Sequence, residues 1–261
     1  MKIYLAYFAK FLKARLSYKF DFFAGIIANA ISTGSSLIFI LLLLDGTRVT
    51  NLQGWTQPEV LFIYGYSMIP LAIFGLLAPN LYQFGDKYII QGQFDRVLLR
   101  PLSTLPQVLF ESFNLDALGS LTVGIITTSI AASRLNLEFA FLDIVWFAIS
   151  TIAAAIILLS FFVSLASIAF HFEDRLGLAA PMYNLIVFGR YPITIFSKLI
   201  QFILQWVVPF AFVAFYPATH FFTERGFGFY TYLSPVVALA TATLTYFVWN
   251  FGVSRYASTG N

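Results

Sequence analysis

Cysteine is absent from the 261 residues, and histidine occurs only twice, as His171 and His220. Without cysteine the chain has no disulfide scaffold, no thiolate metal site and no cysteine nucleophile. Two histidines are too few for a histidine-built metal cluster. Charged residues are scarce as well, at 10% of the chain against ~25% in ordinary soluble domains. We therefore expect no metal site, and a soluble protein is close to excluded.

Motifs for nucleotides and for hydrolysis are also missing. The sequence contains neither a GxxxxGK loop followed by Ser or Thr nor a GxGxxG turn, so it offers no phosphate cradle of its own. It contains neither HExxH nor the GxSxG arrangement of a serine hydrolase. We expect no cofactor in this chain and no nucleic-acid partner. Energy for any transport must come from a gradient or from another subunit.

Apolar residues, by contrast, are abundant. They make up 59% of the chain, phenylalanine alone occurs 31 times, and the mean hydropathy is +0.82. One globular core could not hide this much apolar surface, so lipid must be part of the solvent. A helix needs ~20 apolar residues to cross a bilayer. Five stretches of that kind are clear, at residues 22–44, 60–84, 105–132, 139–170 and 230–253.

The remaining apolar region, residues 176–222, cannot be one straight helix. Four prolines and two basic residues interrupt it: Pro181, Pro192, Pro209 and Pro217, with Arg190 and Lys198. Proline lacks the amide that a helix interior needs. We expect a short fifth span near residues 178–188, re-entrant helices over 191–222, and then the sixth span. Irregular backbone at membrane depth needs cover from protein or water.

Basic residues predict the orientation. With six spans, both chain ends share one side, and that side holds ten of the 15 basic residues. Cytoplasmic loops are enriched in Lys and Arg, so both termini are predicted to be cytoplasmic. We expect a multi-pass protein of the plasma (inner) membrane. The ten are Lys2, Lys10, Lys13, Arg15, Lys19, Lys87, Arg96, Arg100, Arg175 and Arg255.

The first twenty residues have the pattern of a surface helix. At 100° per residue, Lys2, Lys10 and Lys13 fall within an arc of about 80°, and apolar residues occupy the other side. We expect an interfacial helix over residues 1–20 on the cytoplasmic membrane surface, and no cleaved signal peptide. No polar linker divides the sequence, so residues 1–261 are predicted to form one membrane domain.

The cytoplasmic loop at residues 85–104 predicts a short amphipathic helix. Phe94, Val97 and Leu98 share a face at helical spacing, and Pro101 ends the run. An exposed helix with apolar residues to bury favours a partner protein. A helix that merely rests on lipid headgroups is the alternative.

Glu111 and Asp116 are the ionisable residues well inside a predicted span. A charge there costs ~2.5–3.5 kcal/mol on insertion scales, so it needs a reason. Asp116 forms a polar stripe with Ser112 and Ser120 at i−4 and i+4, and Asn29 lies in a similar stripe on the first span. A cation-attracting position on a translocation path is one interpretation. A hydrogen bond between packed helices is the other.

The loop sequence GQFDRVLLRPL, residues 92–102, resembles the permease subunits of ATP-binding cassette transporters of the type-2 export superfamily, in the branch often labelled the viologen exporter family. Phe94 stands where that family usually has leucine. Further matching segments run along nearly the whole chain: FAGIIAN at 23–29, LAPNL at 77–81, NLDALGS at 114–120, FGRYPITIF at 188–196, VVPFAFVAFYPA at 207–218 and SRYAS at 254–258.

The resemblance implies an all-α integral membrane protein. It would have six transmembrane helices, an N-terminal surface helix, a cytoplasmic coupling helix, and outer re-entrant helices before the last span. The coupling residues would be Gly92, Asp95, Leu98, Leu99, Arg100 and Pro101. The re-entrant region would contain Arg190, Tyr191, Pro192, Pro209 and Pro217. The family pairs two permease subunits, identical or related, with two copies of a separate ATPase that holds ATP and Mg²⁺.

The sequence therefore predicts the membrane subunit of an ATP-driven exporter that moves a hydrophobic or cationic organic compound out of the cytoplasm by alternating access. Lipid or glycan export stays open. A gradient-driven carrier or channel is the alternative from another class. It would be expected to carry paired membrane carboxylates and inverted repeats, and the sequence has neither.

Overall fold

The computed structural model describes residues 2–44, 54–172, 184–222 and 225–258. Over these residues the chain is 82% helical and contains no strand. The described α-helices are α1 Lys2–Ser17, α2 Lys19–Leu44, α3 Gln57–Leu77, α4 Gln93–Leu98, α5 Thr104–Leu109, α6 Ala117–Arg134, α7 Phe141–Ser167, α8 Ala169–Phe172, α9 Lys198–Phe202, α10 Phe215–Ala218 and α11 Ser234–Arg255. Short 3₁₀ and π segments are Pro79–Gln83, Phe84–Ile90, Ile186–Arg190, Ile193–Ile195, Ile203–Val207, Phe210–Phe212, Thr219–Phe221 and Gly228–Tyr232.

Four helical stretches are long and apolar enough to cross a membrane: Lys19–Phe39, Gln57–Leu77, Phe141–His171 and Ser234–Arg255. A pair bent by 77°, Lys198–Val207 with Phe210–Phe221, raises that number to five if it counts as one span. The all-helical membrane fold is thus confirmed, whereas the count of six spans is not. The predicted fifth span, 178–188, lies mostly outside the described residues.

The predicted third span, 105–132, is not one helix. α5 ends at Leu109 and α6 begins at Ala117. The polar residues between them find partners away from a helix: the Asn114 amide donates to the Leu76 carbonyl at 3.0 Å, and the Ser112 hydroxyl donates to Asn80 Oδ1 at 2.9 Å. These hydrogen bonds replace those within a helix, so the helix is interrupted between Leu109 and Ala117.

The long helices lie side by side in the order α2, α6, α3, α7, α11. α3 is central and mostly buried, whereas almost no residue of α2 is fully buried. α6 runs antiparallel to α3, with Gly65 against Thr128 and Gly75 against Ala117. A Cβ at Gly65 would meet the Thr128 amide nitrogen at 2.7 Å, so a side chain there would force the two helices apart.

The bundle has two distinct ends. At one, which we call the α4 end, α4 contacts the last residues of α11 and the residues after it. At the other, the opposite end, α3, α7 and α11 begin. There Arg225, in the segment before α11, forms an ion pair with Glu59 at 2.7 Å. Ser234, the first residue of α11, donates from its Oγ to the Phe212 carbonyl at 2.8 Å.

We call this bent pair the hairpin. Contacts near its first and last residues place both of them at the opposite end of the bundle. Shortly before it, Thr194 accepts a hydrogen bond from Trp55 Nε1 at 2.8 Å, and near its end, His220 pairs with Asp143 at 2.7 Å. The bend falls at Val208 and Pro209, where the missing proline amide interrupts the helix. The first half is largely exposed, and the second half is buried in the core.

α1 is a helix as predicted, and Tyr18 separates it from α2. Two of its aromatic rings contact the segment between α5 and α6. The ring centres of Phe8 and Phe113 are 4.9 Å apart, and those of Tyr4 and Phe110 are 5.4 Å apart. Part of its apolar face therefore contacts protein, in addition to any contact with lipid.

Candidate functional site

The predicted coupling segment, Gly92 to Pro101, folds as a single short helix at the α4 end. Gly92 precedes α4 with φ +66°, a left-handed conformation that glycine adopts without steric cost. The helix ends at Leu98, and Arg100 and Pro101 follow it in an exposed turn. Gln107 secures this turn, because its Nε2 donates to the carbonyls of Val97 and Leu102 at 3.1 and 3.0 Å.

Phe94 anchors α4 on the bundle. It is fully buried, and its ring centre lies 5.0 Å from those of Phe170 and Tyr256 and 6.2 Å from that of Trp249. Phe84 completes this group, 5.3 Å from both Phe170 and Trp249. We call these five rings the aromatic cluster. Aromatic pairs at such distances add ~0.5–1.5 kcal/mol each beyond their burial, so α4 is firmly attached to α8 and α11.

The face predicted from Phe94, Val97 and Leu98 is divided in the structure, which corrects the expectation that all three are available to a partner. Phe94 and Val97 are buried within the chain, because the aromatic cluster and α5 cover them. Leu98 is 45% exposed and Leu99 is 84% exposed. Leu98 and Leu99 are therefore the large apolar side chains that this helix and its end present outward.

Asp95 is already engaged within the chain. Its carboxylate accepts hydrogen bonds from Tyr256 Oη at 3.0 Å and from Ser258 Oγ at 2.7 Å. Burial, and then the adjacent Asp95 carboxylate, raise the pKa of Tyr256 to about 12, so its hydroxyl stays protonated and keeps donating at neutral pH. Asp95 thus ties α4 to the residues after α11, while Arg96 and Arg100 remain exposed.

Glu111 and Asp116 both lie at the α4 end, outside any helix. Glu111 pairs with Lys87 at 3.2 Å and accepts a hydrogen bond from Tyr88 Oη. Asp116 directly precedes α6, is 30% exposed, and accepts a hydrogen bond from Arg15 at 3.1 Å. The expectation that Asp116 is deep in a span is wrong, because the helix begins only after it and a cation meets it there.

The predicted polar stripes of α2 and α6 contact each other through Ser120. Asn29 Oδ1 accepts from the Ser120 amide at 2.9 Å and from Ser120 Oγ at 2.6 Å, and Thr33 bonds Ser120 at 2.8 Å. α2 and α6 approach closely because Gly119 has no side chain. A Cβ at Gly119 would lie 2.3 Å from the Ile26 carbonyl oxygen. Ser112 is not part of this group, because it lies in the break before α6.

A cavity of about 690 Å³ lies between α2, α3, α6 and residues 184–190. Asn29 and Ser120 line it, whereas Ser112 and Asp116 are not among its lining residues. Its wall combines hydroxyl and amide groups with apolar side chains such as Met68 and Leu71. This is the size of cavity that holds a drug-sized organic molecule.

The predicted re-entrant residues lie in different places. Arg190 lines the cavity, and its guanidinium carbon is 5.7 Å from the ring centre of Tyr64. Tyr191 follows with its ring 6.3 Å from that of Tyr64, and Pro192 is buried beside it. Pro209 lies at the hairpin bend, and the Pro217 carbonyl accepts from Trp146 Nε1 at 3.2 Å.

The opposite end contains two polar clusters that the sequence does not predict. Arg225 pairs with Glu59 at 2.7 Å and lies 4.3 Å from the ring centre of Trp55. His220 bridges Asp143 at 2.7 Å and Tyr232 at 2.9 Å. Thr56 and Glu59 do have the spacing of a capping box, which could have indicated where α3 begins. The long-range partners left no signal in the sequence.

One comparison with known proteins gives a match. The model of a family described as ABC-2 family transporter protein matches residues 30–260. No curated protein and no solved structure matches the chain significantly. The matched range begins within α2 and includes α4, most of the cavity wall and the hairpin.

Proposed function

Because the chain belongs to the ABC-2 family of transporter proteins and is therefore a membrane permease of an ABC transporter, we propose that it serves an exporter driven by ATP hydrolysis on a separate ATPase chain. The ATPase would bind ATP and Mg²⁺ and would be present in two copies. A second permease, identical or related, would complete the translocation path. The exporter would move an organic compound out of the cytoplasm by alternating access.

The observation that carries this proposal is the presentation of Leu98 and Leu99 on a helix that is otherwise fixed to the bundle. A large apolar side chain gains ~1.5–3 kcal/mol when it is fully buried in a partner. Arg96 and Arg100 are exposed beside them and would contribute more to orientation than to affinity. A rigidly attached helix that presents two apolar side chains could bind in a cleft of the ATPase and move together with it.

Movement of α4 would reach the membrane helices through the aromatic cluster. Phe94 contacts Phe170 at the end of the α7–α8 stretch and Trp249 near the end of α11. These two helices pack along each other. A tilt of α4 would therefore shift α7 and α11 together, which is the rigid-body type of motion expected of alternating access.

This proposal fixes an orientation in the plasma (inner) membrane. The ATPase is cytoplasmic, so the α4 end, with α1 and the residues after α11, would be cytoplasmic. The hairpin at 198–221 would then be a re-entrant element on the outer side. The cavity along α2, α3 and α6 would be part of the path for the cargo.

The test is a double substitution, Leu98→Ser with Leu99→Ser, in the full chain purified from its native membranes. We expect loss of the co-purifying ATPase, or of its stimulation by the permease, with the protein still inserted and monodisperse. Phe229→Ser is the matched control, because Phe229 is 76% exposed at the opposite end.

An undiminished ATPase partnership in the double variant would contradict the coupling role. Absence of any co-purifying protein with a Walker A motif would contradict the ATP-driven proposal and favour a gradient-driven carrier. Both outcomes can be read by mass spectrometry and by phosphate release in the same preparation.

A further inference from the structure

Arg190 is an unneutralised cation in the cavity wall. It is the charged residue among the described residues that line the cavity. Within the described parts of the chain, no carboxylate forms an ion pair with it, and its buried Nε has no hydrogen-bond partner. A guanidinium in a membrane protein is costly to retain and usually marks a site of function.

Tyr64 provides a second unsatisfied donor at the same place. Its side chain is 1% exposed, lines the cavity, and carries a hydroxyl with no hydrogen-bond partner among the described residues. Its ring lies beside the Arg190 guanidinium. Arginine has only donors, and a buried hydroxyl without a partner is unfavourable. The Arg190 guanidinium lies close enough to interact with the Tyr64 hydroxyl oxygen, but Arg190 Nε and the hydroxyl hydrogen both lack an acceptor among the described residues.

The rest of the wall is amphipathic. α2 contributes a polar row at helical spacing, and α6 adds the Ser120 hydroxyl. α3 contributes Met68 and Leu71 on the other side. From Tyr64 to Gly75 the cavity follows α3 for about 16 Å at the ordinary helical rise. The α2 row consists of Asn29, Ser32, Thr33 and Ser36.

We propose that the cavity binds the oxyanion group of an amphipathic molecule, with the Arg190 guanidinium as its charge partner and the Tyr64 hydroxyl as a second donor. Guanidinium recognises phosphate and carboxylate oxygens through charge-assisted hydrogen bonds. The apolar part of the ligand lies along Met68 and Leu71. This inference rests on the proposed function and narrows its cargo, because a purely cationic compound would be repelled by Arg190.

A phospholipid and a soluble organic phosphate offer the same chemistry, so the experiment compares both sources. The full chain, purified in an uncharged detergent without any ATPase, is titrated with phosphatidylglycerol, with diacylglycerol of the same acyl chains, and with hexyl phosphate. Native mass spectrometry reads the bound fraction. A preference for phosphatidylglycerol over both other probes assigns a lipid source, and equal binding of hexyl phosphate assigns a soluble one.

Arg190→Gln is expected to weaken binding of the phosphate probes by tenfold or more, since hydrogen bonds to charged groups are the strong ones. Arg134→Gln is the matched control, because it removes an exposed arginine at the end of α6, outside the cavity. Arg134→Gln should bind as the unaltered chain does. Arg190→Lys should retain part of the affinity, and Tyr64→Phe should weaken it roughly threefold.

Equal binding by Arg190→Gln and the unaltered chain would overturn the proposal, as would equal binding of diacylglycerol and phosphatidylglycerol. If Arg190→Gln does not fold, Arg190→Lys and Tyr64→Phe carry the test, and unchanged affinity in both would overturn it. The assay contains no ATPase, so its failure would leave the coupling role of Leu98 and Leu99 intact. Conversely, the Leu98→Ser, Leu99→Ser variant should bind phosphate probes normally even if the ATPase proposal fails.

Discussion

Leu99 and Leu98 differ in exposure, and this difference makes a prediction at the scale of single residues. Leu99 is 84% exposed and Leu98 is 45% exposed, so Leu99 has more apolar area left to bury in a partner. At up to ~3 kcal/mol for a fully buried leucine, Leu99→Ser should weaken ATPase affinity by up to about 100-fold, and Leu98→Ser by clearly less. Titration of the purified subunits measures both. A larger effect at Leu98 would place the ATPase on a different face of α4.

Phe94 is a second residue whose role is testable. Leucine is usual here in the family that the sequence resembles, yet the ring contacts four other aromatic residues. Phe94→Leu should therefore lower stability by about 1–3 kcal/mol, seen as a lower apparent unfolding temperature in detergent. Phe229→Leu should leave that temperature unchanged. Equal temperatures for Phe94→Leu and the unaltered chain would show that the cluster repacks without cost.

Asp116 and Arg15 form a partly exposed ion pair at 3.1 Å. Such pairs contribute ~0–1 kcal/mol, so Asp116→Asn should have only a small effect on unfolding temperature, similar to that of Arg15→Gln. The exchanged pair, Arg15→Asp with Asp116→Arg, should recover most of the loss. If the exchanged variant is inserted and stable but exports nothing, Asp116 has a role in transport beyond its partner.

At the scale of elements, the sequence predicted the long apolar helices α2, α3, α7 and α11 because a bilayer demands uninterrupted apolar runs. It did not predict that α5 and α6 are separate, since Asn114 and Ser112 find their partners in distant residues. The position of α4 was predicted, and its buried face was not. Burial of Phe94 and Val97 depends on α5, α8 and α11, which no local pattern encodes.

The candidate site shows the same limit. Asn29 and Ser120 were predicted as polar stripes on separate helices, and their mutual hydrogen bonds became visible only with the fold. The sequence places Arg190 in the predicted re-entrant region with Tyr191 and Pro192, but its neighbour Tyr64 is more than a hundred residues away in the chain. Patterns of period 3.6 identify the face of one helix and contain no information about its partner.

The attachment of α4 to the residues after α11 can be tested directly. Tyr256→Phe removes the hydroxyl that donates to Asp95 at 3.0 Å. We expect backbone amides of Gln93–Leu98 to exchange with deuterium faster, while α3 keeps its protection. Tyr246→Phe is the control, because Tyr246 is exposed on α11. Unchanged exchange in α4 would show that the ring contacts alone hold it.

At the scale of the whole molecule, the proposed orientation predicts which ends are accessible in cells. The chain has no cysteine, so single cysteines can be introduced without background. A membrane-impermeant thiol reagent applied to intact cells should label Phe229→Cys and should not label Leu99→Cys until the membrane is opened. Equal labelling of both positions in intact cells would contradict the proposed topology.

The exposure of α2 has a consequence for how a ligand arrives. α2 packs mainly on α6, yet it forms one wall of the cavity whose facing wall is α3. In the proposed orientation the gap between these two helices, beside residues 184–190, would face sideways, in the plane in which lipids diffuse. A ligand that enters through this gap never has to leave the bilayer. Its capture would then depend on its two-dimensional density in the leaflet, so that partitioning into lipid, and not solubility in water, would set the rate of uptake.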